Sequence, residues 1–242
     1  MHERLILLPG WALGTAPLSA LAEALRRLDS SLEAEIAELP TLASCDPAVW
    51  LAELDQRLPA DTWLGGWSLG GMLATALAAR RGGRCRGVLT LASNPRFVAE
   101  PGWPCAMPAA TFGAFQQGCA SDAHATLKRF ALLCSQGGED ARGLSRRLFA
   151  TAPQQAAESL LAGLAVLHAL DTRAALAAIA APQLHLFAEG DALVPKAAAA
   201  ALSSLLPTLH TGLMPGTGHT FLLERPDEVA TAIQAFIREH RQ

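Results

Sequence analysis

An α/β architecture, with a mostly parallel sheet covered by helices on both faces, is what this sequence predicts, on three observations. Short apolar runs alternate with helix-like segments over most of the chain, the rhythm of parallel strands joined by helical crossovers. One run feeds a tight turn, Gly66-Trp67-Ser68-Leu69-Gly70, that opens into an apolar helix at 72–79. The alternation breaks once, from Ser93 to about Asp171, where no strand pattern appears.

Taken in order, residues 5–8 form the first strand, stopped by Pro9-Gly10, and residues 17–28 the first helix. Residues 32–39 carry a second strand, its apolar signal thinned by alternating glutamates. Asp46 and Pro47 supply an N-cap and a first-turn proline for a helix through Leu58. The strand at 62–65, its turn and its helix follow, then a buried strand at 87–92. A Pro/Gly/Trp-rich loop at 95–108 then gives way to helical stretches at 109–118, 122–135, 139–150 and 153–170. Alternation resumes with a strand at 183–187, a helix at 195–206, a strand at 210–214 and a last helix at 226–238. That helix opens on Pro226, Asp227 and Glu228 and closes on Arg238, in keeping with its dipole. The expected organisation is a core of residues 1–92 and 172–242, with residues 93–171 as a helical lid over the C-terminal edge of the sheet. A separate helical domain, or more wrapping, is the alternative.

With 242 residues, 51% of them hydrophobic and only 5% aromatic, the chain suits one domain of helices packed on a sheet. A net charge of −3 argues against a general nucleic-acid binder and leaves room for a local basic patch. The charged start and the short run at 5–8 do not make a signal peptide, and no run is long enough for a membrane span. A cytoplasmic protein is expected. Cys45, Cys85, Cys105, Cys119 and Cys134 are odd in number, scattered and without C-x-x-C spacing, which predicts reduced thiols and no zinc site.

Gly-x-Ser-x-Gly between a strand and a helix is the pattern of a nucleophile elbow. Flanking glycines let the turn close, and the serine hydroxyl then stands clear of the backbone at the positive end of a helix. A phosphate cradle is the other reading of such a turn, but no G-x-G-x-x-G follows a strand here and a P-loop lysine is absent. A serine nucleophile needs a base, and an acid to orient the base. Both belong on later strand-end loops, in the order Ser, Asp/Glu, His. Among seven histidines, His2, His210 and His240 lie at termini or a strand start, His124 and His168 on lid helices, and His185 inside a strand as a packed, satisfied side chain. His219 alone occupies a loop after the last strand, Pro215-Gly216-Thr217-Gly218-His219. Glu189 and Asp191 both follow the strand at 183–187; Asp191, directly after Gly190, is the favoured acid, with Glu189 facing solvent or a loop amide. Two N–H donors would hold an oxyanion: that of Leu69, and that of Trp11 in the loop after the first strand. The Trp11 ring is expected to line the site, core packing being its alternative.

These residues resemble the α/β-hydrolase family, and within it the pimeloyl-[acyl-carrier protein] methyl ester esterases, over nearly the whole chain. The likeness runs through Leu7-Leu8-Pro9-Gly10-Trp11, the stretch 63–71 around Ser68, and Leu89-Thr90-Leu91-Ala92-Ser93-Asn94-Pro95-Arg96-Phe97. It continues in Glu100-Pro101-Gly102-Trp103-Pro104, Phe115-Gln116-Gln117 and Arg129-Phe130-Ala131-Leu132. The resemblance implies Ser68 as nucleophile, Asp191 as orienting acid and His219 as base. It also implies Trp11, Ser68, Leu69, Phe130, Ala131, Leu132, Leu133, Cys134 and His219 as substrate contacts; on its residue type alone, Cys134 reads as a small buried hydrophobe. Pro9 stands where the family often has histidine, and the family's opening N-terminal hairpin is expected to be missing.

The implied reaction is hydrolysis of the methyl ester of a pimeloyl-[acyl-carrier protein] by a monomer, with no metal and no organic cofactor. The implied partner is the acyl-carrier protein, an acidic class that a basic lid surface would steer. Lys128, Arg129, Arg142, Arg146 and Arg147, set against Asp122, Glu139 and Asp140, offer one, although a solvated helix face is the plainer reading. A general short-chain carboxylesterase or thioesterase is the nearest rival, and a non-catalytic ligand receptor of the same fold a more distant one.

Overall fold

A computed structural model describes residues 3–241; Met1, His2 and Gln242, and with them the reading of His2 as a terminal histidine, lie outside the described residues. Strands β1 (Glu3–Leu8), β2 (Leu32–Ile36), β3 (Thr62–Trp67), β4 (Cys85–Leu91), β5 (Gln183–Ala188) and β6 (His210–Met214) form one sheet in the order β2-β1-β3-β4-β5-β6. Every pairing is parallel. β3 and β5 are buried along their whole length, as continuous apolar strands covered on both faces must be. Leu7 pairs with Gly65, and Gly65 with Leu89, so the ends of β1, β3 and β4 lie side by side.

From β1 the chain steps outward through α1 (Ser19–Leu28) to β2, then back through α2 (Pro47–Arg57) to β3. Right-handed crossovers in opposite directions put α1 and α2 on opposite faces. α1 packs with α11 (Pro226–Glu239), whereas α2 packs with α3 (Leu69–Arg81), which in turn meets α8 (Arg173–Ala178). The reversal of strand order falls between β1 and β3, and the crevice beyond their carboxyl ends is where open α/β sheets bind ligands.

Between β4 and α8 the chain adds no strand to this sheet and runs through α4 (Ala109–Ser121), α5 (Ala123–Ser135), α6 (Ala141–Thr151) and α7 (Ala157–Ala169). Its two ends are tied together: Thr172 donates to Pro95 O through its N–H (2.9 Å) and its hydroxyl (3.1 Å), and Arg173 pairs with Glu100 and Asp171. The helix expected from residue 153 starts at Ala157, because Pro153 instead packs into the loop after β1 against Gly14. The six-residue α8 and the four-residue α10 (Phe221–Glu224) are not foreseen from the sequence; elements that short carry no period. All five cysteines are free thiols, and no helix among the described residues is long and apolar enough to cross a membrane.

His185 corrects one expectation. It is buried, but only half satisfied: Nδ1 meets the Thr90 hydroxyl at 2.7 Å, and Nε2 has no partner among the described residues. Burial pushes its pKa down to about 3. From about pH 6.5 down to 3 the unfolded chain therefore takes up a proton that the folded chain refuses. This group makes stability fall with falling pH, by at most about 1.4 kcal/mol per pH unit. His185→Gln, which cannot charge and can still bond Thr90, should show a flatter loss of stability from pH 6.5 to 4.5 in urea titrations. Parallel curves for variant and wild type would refute this.

Candidate active site

Ser68 stands between β3 and α3 with φ +55° and ψ −119°, a region that L-residues enter only when packing forces them. The force is backbone contact. A Cβ on Gly66 would lie 2.2 Å from Gly70 C, and one on Gly70 would lie 2.2 Å from Leu8 O and 2.4 Å from Pro9 O. The first turn of α3 thus presses directly on the loop after β1. Ser68 N–H continues the ladder to Leu91 O (2.9 Å), and the buried Ser93 hydroxyl donates to Ser68 O (2.8 Å).

The same contact sets the helix end that carries Leu69 against the loop that leads to Trp11, the two residues expected to supply oxyanion donors. Leu69 is the first residue of α3, where no helical carbonyl can take up its N–H. Trp11 lies in the loop that Gly70 touches, beside Ala12 at φ +63°, and Leu13 N–H closes a tight turn onto Trp11 O (2.9 Å). The Trp11 ring is buried: Nε1 donates to Leu160 O on α7 (2.9 Å), and its plane meets Phe130 and Phe115 edge-on.

Asp191 and His219 meet at the ends of β5 and β6. His219 Nδ1 lies 2.7 Å from Asp191 Oδ2, and both side chains are wholly buried. Asp191 Oδ1 accepts from Leu193 N–H (2.8 Å) and Val194 N–H (2.9 Å). A carboxylate so engaged only accepts, so Nδ1 carries the ring proton and Nε2 keeps its lone pair. That Nε2 is buried without a hydrogen-bond partner among the described residues, Ser68 included. What ties His219 to the elbow is Trp67, whose Nε1 donates to His219 O (2.9 Å) and whose ring lies 5.4 Å from the imidazole. Glu189 takes a loop amide, accepting from Gly216 N–H (3.2 Å), and pairs with Lys196.

Beside Trp11 a narrow apolar pocket of about 20 Å³ is walled by Phe97, Phe112, Phe115, Phe130 and Leu193 among others. Of the segment 130–134, Phe130 lines it, Ala131 and Cys134 are buried, and Leu133 is half-buried against the core. Leu132 is 53% exposed, as one residue in such a helical run must face outward. Burial, and then the Asp191 carboxylate, raise the Cys134 thiol well above its ordinary range. Lys128 and Arg129 on α5, and Arg142, Arg146 and Arg147 on α6, are all exposed. The acids near them are engaged elsewhere: Asp122 and Asp140 cap α5 and α6, and Glu139 pairs with Arg225. Among the described residues no group of three potential ligands could hold a metal ion. The aromatic wall from α4 was open to discovery in the sequence, since Phe112, Phe115 and Cys119 recur at helical spacing.

Residues 5–232 match the model of the alpha/beta hydrolase family. The chain belongs to that family. It is 32% identical over 245 residues to a pimeloyl-[acyl-carrier protein] methyl ester esterase of Serratia marcescens, covering 98% of this chain and 94% of that protein. It is 35% identical over 239 residues to the biotin biosynthesis bifunctional protein BioHC of Cellvibrio japonicus (strain Ueda107), covering 96% of this chain. The chain spans 47% of that bifunctional relative, and 35% of another from Teredinibacter turnerae. Among alpha/beta hydrolase folds of known structure, a bromoperoxidase from Bacillus anthracis superposes with a TM-score of 0.85 at 17% identity, covering 98% of this chain and 92% of that one. An esterase from Exiguobacterium antarcticum does so at 0.84 and 15%, with the same coverage. At such identities the agreement is one of fold.

The elbow's dependence on bare backbone gives a paired expectation. Gly70→Ala should cost about 3 kcal/mol or more in urea unfolding. Gly113→Ala, at a helical position with nothing within 4 Å of the added methyl, should instead stabilise by about 0.5–1 kcal/mol.

Proposed function

We propose that this chain is a serine esterase that hydrolyses the methyl ester of a pimeloyl-[acyl-carrier protein], freeing the carboxylate in biotin synthesis. The observation that carries the reading is the buried 2.7 Å bond from His219 Nδ1 to Asp191, which leaves the Nε2 lone pair free next to a strained serine elbow. The relatives that the chain matches over nearly their whole length, pimeloyl-[acyl-carrier protein] methyl ester esterases, supply the substrate.

In this mechanism His219 Nε2 takes the Ser68 proton as Oγ attacks the ester carbonyl. The Leu69 and Trp11 N–H groups receive the oxyanion. Collapse breaks the bond to the methoxy oxygen, which leaves as methanol with the proton from His219. Water then gives a proton to the same nitrogen and attacks the acyl-serine; the bond from the acyl carbon to Ser68 Oγ breaks, Oγ takes the proton back from His219, and the acid is released. Asp191 holds the productive tautomer and the charged imidazolium throughout. Closing the gap between Ser68 and His219 belongs to substrate binding, since such bonds are often long in free enzymes.

The helices α4–α7 act as the lid over the narrow aromatic pocket, whose walls part to take the acyl chain. The acidic carrier docks on the outer face of α5 and α6, where exposed Leu132 sits one helical turn from Lys128 and Arg129.

A fluorophosphonate should label the wild type once, at Ser68, and leave Ser68→Ala unlabelled; an unlabelled wild type would defeat the esterase reading. Asp191→Asn should lower kcat by about 10³-fold or more on any ester, through the wrong tautomer. Joint Arg129→Glu and Arg142→Glu substitutions should cut turnover of the carrier-linked ester about tenfold or more, while sparing a small p-nitrophenyl ester. Equal losses on both substrates would reject the docking surface.

A further inference from the structure

Asp191 and His219 each follow a glycine, and both glycines press on one turn of chain from outside the sheet. The turn, residues 136–140, joins α5 to α6. A Cβ on Gly218 would lie 2.2 Å from Gln136 O, and one on Gly137, whose φ is +90°, would lie 2.3 Å from Gly190 O. Approaches that close are possible only between bare backbones. One side chain hydrogen-bonds the backbone of the turn there. Glu224, the last residue of α10, accepts from Glu139 N–H through Oε2 (3.1 Å) and from the Thr220 hydroxyl through Oε1 (3.3 Å). The same hydroxyl lies 3.3 Å from Cys134 O at the end of α5, its one proton shared between the two acceptors, and Thr220 is the fully buried neighbour of His219.

Resting on the reading of Ser68, His219 and Asp191 as the hydrolytic group, we infer that Thr220 and Glu224 are positioning residues that clamp the α5–α6 turn onto the acid and base loops. Other bonds tie those loops to each other: Gly190 N–H to Thr217 O (2.8 Å), Glu189 N–H to Met214 O (3.0 Å), and the Glu189 carboxylate to Gly216 N–H. Trp67 ties His219 to the elbow. The turn is what holds the paired loops against the helices above them, and its hydrogen-bonded anchor is the Glu224 carboxylate, beside a longer pair between the Glu139 side chain and Arg225 (3.7 Å). Freed from it, Gly190 and Gly218 lose the surface against which Asp191 and His219 are aligned.

The test uses the full chain with Glu224→Ala, Glu224→Gln and Thr220→Val, and two readouts. One is the low-field proton resonance of the His219 Nδ1–H bonded to Asp191; the other is kcat and KM on a small p-nitrophenyl ester. Glu224→Ala and Thr220→Val should broaden or shift the resonance and lower kcat about tenfold, with KM within about twofold. Glu224→Gln should retain the resonance and most of kcat, because its amide oxygen still accepts from Glu139 N–H and its amide N–H can donate to Thr220. An unchanged resonance and kcat in Glu224→Ala would overturn the inference, even if that variant melts lower. So would equal losses in the Ala and Gln variants. If Glu224→Ala does not fold, Thr220→Val, which removes the hydroxyl at nearly constant volume, decides by the same criteria. The resonance is observed without substrate, so a failure of the clamp is distinguishable from a failure of the esterase reading, which shows as an unlabelled Ser68.

Discussion

The contact of Gly70 with the carbonyls of Leu8 and Pro9 is what the site is built on. It sets the first turn of α3, and with it the serine turn, against the loop after β1. The cost appears in the backbone. Ala12, Ser68 and Ala92, just beyond the ends of β1, β3 and β4, all have positive φ. Together they cost on the order of 3–9 kcal/mol, comparable to the whole stability of a domain of about 5–15 kcal/mol. Strain of that size survives only where neighbours over-determine it. Here the ladder bonds from Ser68 to Leu91 O and from Ala92 to Leu186 O do so, with the Ser93 hydroxyl on Ser68 O.

The acid and base loops are organised by hydrogen bonding rather than strain. A buried carboxylate is tolerable when its oxygens are filled, and Asp191 has two backbone N–H groups on one oxygen and the imidazole on the other. That arrangement decides which ring nitrogen of His219 remains basic. The Asp191 and His219 side chains are both wholly buried, so water does not compete for the bond between them. Scaffold and chemistry meet at the switch point between β1 and β3, where chain direction makes a crevice with no further design.

The strands and long helices were legible because their apolar runs and caps are local signals: Asp46 does cap α2 through Ala48 N–H (2.8 Å), and Pro226 does open α11. The meeting of His219 with Asp191 was legible in outline, since strand-end loops of a parallel sheet converge. What stayed hidden depends on distant partners. Nothing near His185 in sequence says that Nε2 finds no partner; that follows from packing across β4. The inward and outward sides of the segment 130–134 need the phase of α5, which a five-residue motif does not carry. The tie from Glu224 to Glu139 spans 85 residues, and the four-residue helix that presents it has no period to read.

One helix carries two environments. α5 turns Phe130, Ala131 and Cys134 toward the interior and Lys128, Arg129 and Leu132 toward solvent. On the proposed reading, a carrier held on the outer face is separated from the acyl cavity by at least a helix diameter of about 10–12 Å. An acyl group tethered to such a carrier must round the helix to reach Ser68, whereas a small free ester enters without touching that face. Outer-face charges therefore act on encounter and retention of the carrier, and the inner aromatic wall acts on the bound chain. The two sets of residues are separable by mutation because the helix keeps them on opposite sides, and the turn that ends α5 is the one place where both lead to the acid and base loops.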